Sequence, residues 1–212
     1  MRDYQDKKSN MVTGSLTCSG VIWSLLSFCG MCLACIGFYM PYWIRGQMTF
    51  NQQNYTVNFG IFRRCNYPSN GMFIEECGRY LMFSDIPSNS WRVCTITVGV
   101  GCGLAMLVSF IGLFACLIKD ILSKRIGRFT GLIQFFAALF IATGCGIYPN
   151  GWSHRHVKAA CGFTSEEYSL GTCSIDWAYY VTMAGCGVTF ICSALSYKAG
   201  KTKTGHYTTY AL

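Results

Sequence analysis

Residues 13–44 read TGSLTCSGVIWSLLSFCGMCLACIGFYMPYWI, a run without a single Asp, Glu, Lys or Arg. A helix of about 20 apolar residues is long enough to cross the hydrocarbon core of a bilayer. The run exceeds that length, so we predict a transmembrane helix over about residues 16–39. The run is also longer than the apolar core of a secretory signal peptide, and no small-residue cleavage site follows it. We therefore expect an uncleaved anchor.

Three further stretches have the same character: residues 93–118, 129–153 and 177–197 also lack charged side chains. With the first run they predict four transmembrane helices, because a helix satisfies its own backbone hydrogen bonds in lipid. The composition agrees, since 52% of the 212 residues are hydrophobic and only 12% are charged. We expect a single four-pass membrane domain, 1–212, with helices at about 16–39, 93–118, 129–148 and 177–197.

The basic residues predict the side of the membrane that each loop faces. Most Lys and Arg residues lie in the short segments 1–15, 119–128 and 198–212. Such segments stay cytoplasmic, so both termini are predicted to be cytoplasmic, and loops 40–92 and 149–176 extracellular at the plasma membrane. The formal net charge of +8 then reflects topology and contact with the lipid bilayer, and no nucleic-acid partner is expected.

Two features of the outer loops agree with this orientation. Asn54-Tyr55-Thr56 is an N-glycosylation sequon, which makes Asn54 the expected glycan site. Aromatic rings also gather at the expected outer boundary, where amphipathic side chains prefer to lie. These residues are Tyr39, Tyr42, Trp43, Trp91, Tyr148, Trp152, Trp177, Tyr179 and Tyr180.

Four of the 14 cysteines lie within the outer loops: Cys65, Cys77, Cys161 and Cys173. Four cysteines allow three pairings, and Cys94 at the outer end of the second span is a competitor. We expect pairing within each loop, which closes the shortest loops and requires no contact between them. Outside a cell, Cys65 and Cys77 are expected to form a disulfide rather than to bind a metal.

The first outer loop also predicts a small antiparallel sheet. Residues 54–64 are rich in β-branched and aromatic side chains, and residues 73–74 and 80–83 look similar. The segment 68–71, Pro-Ser-Asn-Gly, is a turn signal between them. We expect a hairpin crossed by the disulfide.

The order Trp43, Gly60-Ile61-Phe62, Cys65 and Cys77 resembles the W…G-L-W-x-x-C…C pattern of claudin-type proteins. Phe62 stands where that pattern has tryptophan, and the two cysteines are slightly further apart. The chain more closely resembles the lipoma fusion partner-like (LHFP-like) tetraspan family over Ser15–Tyr180. The matching segments are SLTCSGVIWSLLSF, GFYMPYW, FGIFRRC, EECGRY, IPSNSWRVCT, YPNGW, AACGFTSEEYSLGTC and WAYY.

This resemblance implies a claudin-like fold: a membrane all-α, left-handed four-helix bundle with a small extracellular antiparallel β-sheet from both outer loops. It also implies a function class, since several relatives are auxiliary subunits of ion channels or receptors. We expect lateral association with a larger membrane protein such as a channel, receptor or adhesion receptor. The alternative is a claudin-like junction or adhesion protein that associates with itself.

Catalysis and cofactor binding find no support in the sequence, and no enzyme is predicted. The four spans contain no charged residue or histidine, which intramembrane chemistry and ion coupling usually require. Gln134, the most polar side chain in the spans, is expected to form an interhelical hydrogen bond. His154 and His156 lie too far from further ligands in the sequence for a metal site to be preferred over a solvated loop.

The remaining candidates concern partners and modification. Arg63, Arg64, Glu75 and Glu76 flank the first disulfide, and we favour a solvated sheet edge over a partner-facing patch. Glycines in the spans are expected to pack helices closely, within the bundle in preference to a partner. They are Gly99, Gly101, Gly103, Gly112, Gly144, Gly146, Gly185 and Gly187.

Two short hypotheses concern the cytoplasmic side. The C-terminal Tyr210-Ala211-Leu212 could add as a strand to a PDZ domain. Cys18, Cys116 and Cys192 lie near cytoplasmic helix ends and are candidates for palmitoylation.

Overall fold

A computed structural model of the chain describes residues 18–69, 72–117 and 124–199. Four of the helices in these residues are long and apolar enough to cross a membrane, which confirms the predicted four-pass bundle. A fifth helix is short and precedes the last span. The helices are α1 (Cys18–Tyr39), α2 (Asn89–Leu117), α3 (Lys124–Ile147), α4 (Arg155–Cys161) and α5 (Trp177–Ala199).

The four long helices form a bundle in which each packs on two neighbours, in the cyclic order α1, α2, α3, α5. Gln134 of α3 reaches across the diagonal to α1. Its Oε1 accepts a hydrogen bond from Trp23 Nε1 at 3.0 Å, and its Nε2 donates to Ser27 Oγ at 2.7 Å. The Ser27 carbonyl in turn accepts from Ser109 Oγ of α2 at 2.9 Å. The predicted interhelical bond of Gln134 is therefore confirmed, and it joins three helices at one polar point.

Two long helices begin earlier than the charge-free runs predict. Helix α2 begins at Asn89 rather than residue 93, and Ser88 Oγ caps its start by accepting a hydrogen bond from the Trp91 backbone N–H at 3.1 Å. The Arg92 guanidinium donates hydrogen bonds to the Ile86 and Ser84 carbonyls and to Asn89 Oδ1. Because these hydrogen bonds satisfy its guanidinium group, Arg92 is accommodated within the first turn of α2. Helix α3 begins at Lys124 rather than residue 129, and exposed basic side chains occupy its first turns.

The sheet contains strands from both loops between the helices, as predicted. Its antiparallel order is β4-β3-β2-β1-β5. Strand β5 comes from the second loop and pairs with β1 at Ile175 and Ile44. The strands are β1 (Ile44–Phe50), β2 (Gln53–Phe59), β3 (Arg63–Ser69), β4 (Met72–Arg79) and β5 (Ser174–Ile175).

Several strand predictions need correction. Residues 54–64 form two strands instead of one, because the chain turns at Gly60, whose N–H bonds the Arg63 carbonyl at 2.8 Å. Residues 80–83, which resemble a strand in sequence, leave the sheet and enter a 3₁₀ turn at Phe83–Asp85. Strand β1 was not predicted, although apolar and polar residues alternate in it. Gly46 weakens that signal, and pairing along the whole of β2 fixes the strand.

Candidate partner-binding surface

A buried aromatic cluster joins the sheet to one end of the bundle. The ring centroids of Trp43 and Tyr148 lie 4.8 Å apart, and Trp91 stacks on Tyr148 at 5.0 Å. Trp43 Nε1 donates to the Gly37 carbonyl at 2.8 Å, and Trp91 Nε1 donates to the Tyr148 carbonyl at 3.0 Å. Tyr148 Oη donates to the Phe59 carbonyl at 3.2 Å. Because large rings pack here with their polar atoms satisfied, the cluster holds the sheet firmly on the bundle.

The predicted motif residues belong to this junction. At Gly60, a Cβ would lie 2.8 Å from Pro41 Cα, so the chain passes too close to the end of α1 for any side chain. Ile61 is fully buried. Phe62 packs on Phe38 of α1, with ring centroids 4.9 Å apart. Together with Trp43, the motif therefore positions the sheet.

Two disulfides stabilise the loops in the pairing within each loop: Cys65–Cys77 and Cys161–Cys173. Cys65 and Cys77 are direct partners in β3 and β4, so their bridge ties the edge strand to the sheet. Cys94 is a free thiol, buried in α2. It does not take part in either bridge.

A groove of about 350 Å³ opens where the sheet meets α1 and α2. Phe38 of α1 and Thr95 of α2 line its bundle end, and Arg79 lines its sheet end. Beside it, the loop after β4 exposes Leu81 and Met82 at 96% and 68% of their surface. Consecutive exposed apolar residues outside a membrane helix indicate contact with lipid or a partner.

One arginine, Arg79, lines this groove, and Arg63 and Arg64 lie next to residues that line it. Arg63 lies directly opposite Arg79 in the β3–β4 pairing. The Arg63 guanidinium lies 4.4 Å from the Tyr39 ring centroid, and that of Arg64 lies 4.9 Å from the Tyr80 ring centroid. These cation–π contacts hold both cations in place. Burial raises the pKa of Tyr80, and the nearby Arg64 offsets part of that rise, so Tyr80 is a neutral phenol.

A second groove, of about 320 Å³, lies between α3 and α5 in the membrane-spanning part of the bundle. Its lining includes the small residues Ala138, Ala142 and Gly187. It also includes Phe135 and Phe190, whose ring centroids are 6.0 Å apart. Small residues between large ones leave a depression in the lipid-facing surface.

Six glycines of the spans form three pairs, two residues apart, and the members of each pair differ in their contacts. In each of α2, α3 and α5, the first glycine of the pair is pressed against a neighbouring helix: a Cβ on Gly185, for example, would lie 2.5 Å from the Ala34 amide nitrogen. The glycine two residues later has no described heavy atom within 4 Å of such a Cβ. Residues two apart lie on nearly opposite sides of a helix. The predicted intramolecular packing is therefore confirmed for the first set and wrong for the second. It is also confirmed for Gly99 and Gly112, where a Cβ would lie 3.4 Å from the Phe38 ring and 3.0 Å from Ser24 Oγ of α1. The sets are Gly101, Gly144 and Gly185, and Gly103, Gly146 and Gly187.

The predicted glycan site lies at one end of the sheet. Asn54 is exposed in β2, beside the β1–β2 turn, and its Oδ1 accepts a hydrogen bond from Thr49 Oγ1 at 2.7 Å. The side chain is accessible to a modifying enzyme. Its glycosylation stays a prediction.

The two histidines of the second loop form a helix cap. Their ring centroids lie 5.2 Å apart, and His154 Nδ1 accepts a hydrogen bond from the His156 backbone N–H at 3.4 Å, at the start of α4. Partial burial lowers the pKa of His154, and the nearby His156 and Arg155 lower it further. Within the described ranges, no three His, Cys, Asp or Glu side chains gather as a metal site.

The hypotheses about the cytoplasmic side have different outcomes. The segment 200–212, with the PDZ-binding sequence, lies outside the described residues, and so does the side chain of Cys18. Cys192 is fully buried among the helices, which removes it as an acylation site. Cys116 is partly buried, and its palmitoylation stays a prediction.

Comparison with known proteins agrees with this fold. A family model described as Lipoma HMGIC fusion partner-like protein matches residues 19–198. LHFPL tetraspan subfamily member 2a protein of Danio rerio is 32% identical over 197 residues, covering 87% of this chain and 88% of that protein. LHFPL tetraspan subfamily member 2 protein of Homo sapiens is 30% identical over 200 residues, with 87% and 88% covered. Human LHFPL tetraspan subfamily member 3 protein is 30% identical over 185 residues, with 85% and 74% covered. The chain is therefore a multi-pass membrane protein that belongs to the lipoma HMGIC fusion partner-like (LHFPL) tetraspan family.

Proposed function

We propose that this protein is a non-enzymatic subunit that associates laterally with a larger membrane protein, such as a channel, receptor or adhesion receptor. It lies in the plasma membrane with both termini cytoplasmic and the sheet outside. Its binding alters the assembly, traffic or gating of the partner. A subunit can shift such an equilibrium only by binding one state of the partner more tightly than another.

The observation that carries the proposal is the groove between α3 and α5. Exposed apolar side chains on a membrane helix need no partner, because lipid covers them. A depression lined by Ala138, Ala142 and Gly187 is different, since small residues let the backbone of another helix approach closely. Among the described residues, no heavy atom lies within 4 Å of where a Gly187 Cβ would be, so this position faces the outside of the bundle. This face therefore suits a transmembrane helix of the partner.

The test fills the groove without adding charge. The double variant Gly187→Leu with Ala142→Leu removes the depression, whereas Gly103→Leu places the same side chain on the outward side of α2. Both variants keep an apolar surface, so insertion into the membrane is preserved. The tagged proteins are purified in mild detergent from the cells that make them, and the accompanying proteins are quantified by mass spectrometry.

In the double variant, we expect the recovered amount of the accompanying membrane protein to fall by about tenfold or more. Loss of an interface hot spot costs ~2 kcal/mol, which is enough for such a change. The control variant should retain it, and cell-surface labelling should be equal for both. Equal recovery of the partner by both variants would remove this groove as the binding face.

A second candidate function is claudin-like self-association at cell contacts. The observation that favours it is the free edge of the sheet, where β4 has eight residues and no outer neighbour among the described strands. Exposed strand edges are sites where another chain can add. Expression in cells that lack junctions tests this function, because a junction protein by itself would form strands or hold those cells together.

A further inference from the structure

We infer that the groove at the junction of sheet and bundle is a binding site for a glycerophospholipid of the outer leaflet. The phosphate lies at Arg63 and Arg79, and an acyl chain follows the groove from Arg79 toward Thr95. The inference concerns a face other than the α3–α5 groove. It rests on the outward orientation of the sheet that is proposed above. The experiment below measures lipid binding and does not depend on a protein partner.

The first observation is an uncompensated pair of cations. Arg63 and Arg79 are directly opposite each other in neighbouring antiparallel strands. Like charges in this position repel and destabilise a sheet. Within the described ranges the salt bridge between Arg45 and Asp176 is the only one, so neither of the paired arginines has an acidic partner there. An anionic ligand between the two guanidinium groups would relieve this repulsion.

The second observation is the apolar groove that begins at one of these cations, Arg79. Arg79 lines its sheet end, and the rest of the lining includes Phe38, Phe62, Met82 and Phe83. A volume of about 350 Å³ with almost wholly apolar walls suits part of a hydrocarbon chain. Charge at one end and apolar lining along the rest match the amphipathic form of a phospholipid.

The third observation is the depth of the groove. Phe38 lies in the last turns of α1 and Thr95 lies near the start of α2, both within candidate membrane spans. Arg79 ends strand β4, outside every span. The groove therefore crosses the boundary at which phosphate and acyl chain meet. The exposed Leu81 beside it would be covered by neighbouring lipid, which accounts for an apolar side chain left 96% exposed.

The chemistry at the cationic end suits a phosphate group. Arginine forks bind phosphate oxygens with paired, charge-assisted hydrogen bonds. The contact of Arg63 with the Tyr39 ring holds its guanidinium near the end of α1, where the membrane boundary lies. An acidic segment of a partner protein would also satisfy the two charges, but it would leave the apolar groove without a chain to fill it.

The experiment is native mass spectrometry of the full-length protein purified in mild detergent and titrated with palmitoyl-oleoyl phosphatidylglycerol. Arg63→Gln with Arg79→Gln removes the cationic end, and Thr95→Phe fills the apolar end. Arg155→Gln, at an exposed position on α4, is the matched control for loss of a charge. Thermal midpoints of all variants establish that they are folded.

We expect a retained one-to-one phospholipid complex for the wild type and the control. Both the arginine variant and Thr95→Phe should lower its population at least tenfold at equal lipid concentration. Inorganic phosphate, added as a competitor, should displace the lipid only weakly, because it lacks the acyl chain.

Equal lipid retention by the wild type and the arginine variant would overturn the inference. So would an unchanged complex in Thr95→Phe, because the groove would then not hold the chain. A partner peptide found at this site in place of lipid would overturn it as well. If the arginine variant does not fold, lipid retention by Thr95→Phe alone tests the inference.

Discussion

Helices α1 and α5 pack so closely at Gly185 that adding a single methyl group there should force them apart. A Cβ there would lie 2.5 Å from the Ala34 amide nitrogen and 2.8 Å from the Gly30 carbonyl oxygen, both backbone atoms of α1. Backbone cannot rotate away as a side chain can. Gly185→Ala therefore requires the helices to move apart by about 1 Å, and overpacking of this kind costs about 1–3 kcal/mol.

Gly187→Ala is the matched control, because it makes the same chemical change two residues along the same helix. No described heavy atom lies within 4 Å of the added carbon. Alanine has a higher helix propensity than glycine, by up to about 1 kcal/mol in water. The control should therefore be neutral or slightly more stable than the wild type.

Thermal unfolding of the purified proteins in one mild detergent measures the difference. At about 2–4 °C per kcal/mol for a chain of this size, the cost of about 1–3 kcal/mol should make Gly185→Ala unfold about 2–12 °C below the wild type. Gly187→Ala should match or exceed it. Equal midpoints for the two variants would refute the close approach of α1 and α5.

Three further changes test other parts of the molecule. Gln134→Leu should destabilise the bundle by about 1–3 kcal/mol, since it removes two interhelical hydrogen bonds and leaves the buried Trp23 Nε1 without its acceptor; an unchanged thermal midpoint would contradict this role. Trp91→Phe should cost about 1–3 kcal/mol through its lost buried hydrogen bond, measured by the same thermal scan. Trp177 is half-exposed, so Trp177→Phe should stay within about 0.5 kcal/mol of the wild type. Equal losses of stability in Trp91→Phe and Trp177→Phe would argue against the aromatic cluster. Asn54→Gln should abolish the mobility shift that peptide-N-glycosidase produces on protein from mammalian cells, and a wild type without such a shift would leave Asn54 unmodified.

The four spans could be predicted from the sequence because lipid imposes a simple rule on them. A charge-free run of sufficient length has few alternatives to a helix in a membrane. The starts of α2 and α3 did not follow that rule, since helices continue past the membrane boundary wherever charged side chains are satisfied or exposed. Arg92 shows this directly, because its hydrogen bonds to carbonyls of the preceding turn depend on how the chain folds back.

The sheet and its surfaces depend on contacts that local patterns do not contain. The sequence marks Trp43, Gly60 and Phe62 as a motif. Their role in positioning the sheet on the bundle depends on the tertiary contact between α1 and the end of β2. The opposition of Arg63 and Arg79 depends on the register of β3 and β4. A groove formed by Phe38, Thr95 and Arg79 combines three distant parts of the chain, so no local pattern predicted it. For the same reason the sequence could not separate inward from outward glycines.

The composition of the native complex tests the central claim, lateral association with a larger membrane protein. The protein, tagged at its N-terminus, is purified in mild detergent from tissue that makes it, and the intact complex is analysed by mass spectrometry. We predict a second, larger membrane protein in a fixed stoichiometric ratio to this chain. Recovery of copies of this chain alone, in a ladder of sizes, would contradict the claim and favour claudin-like self-association.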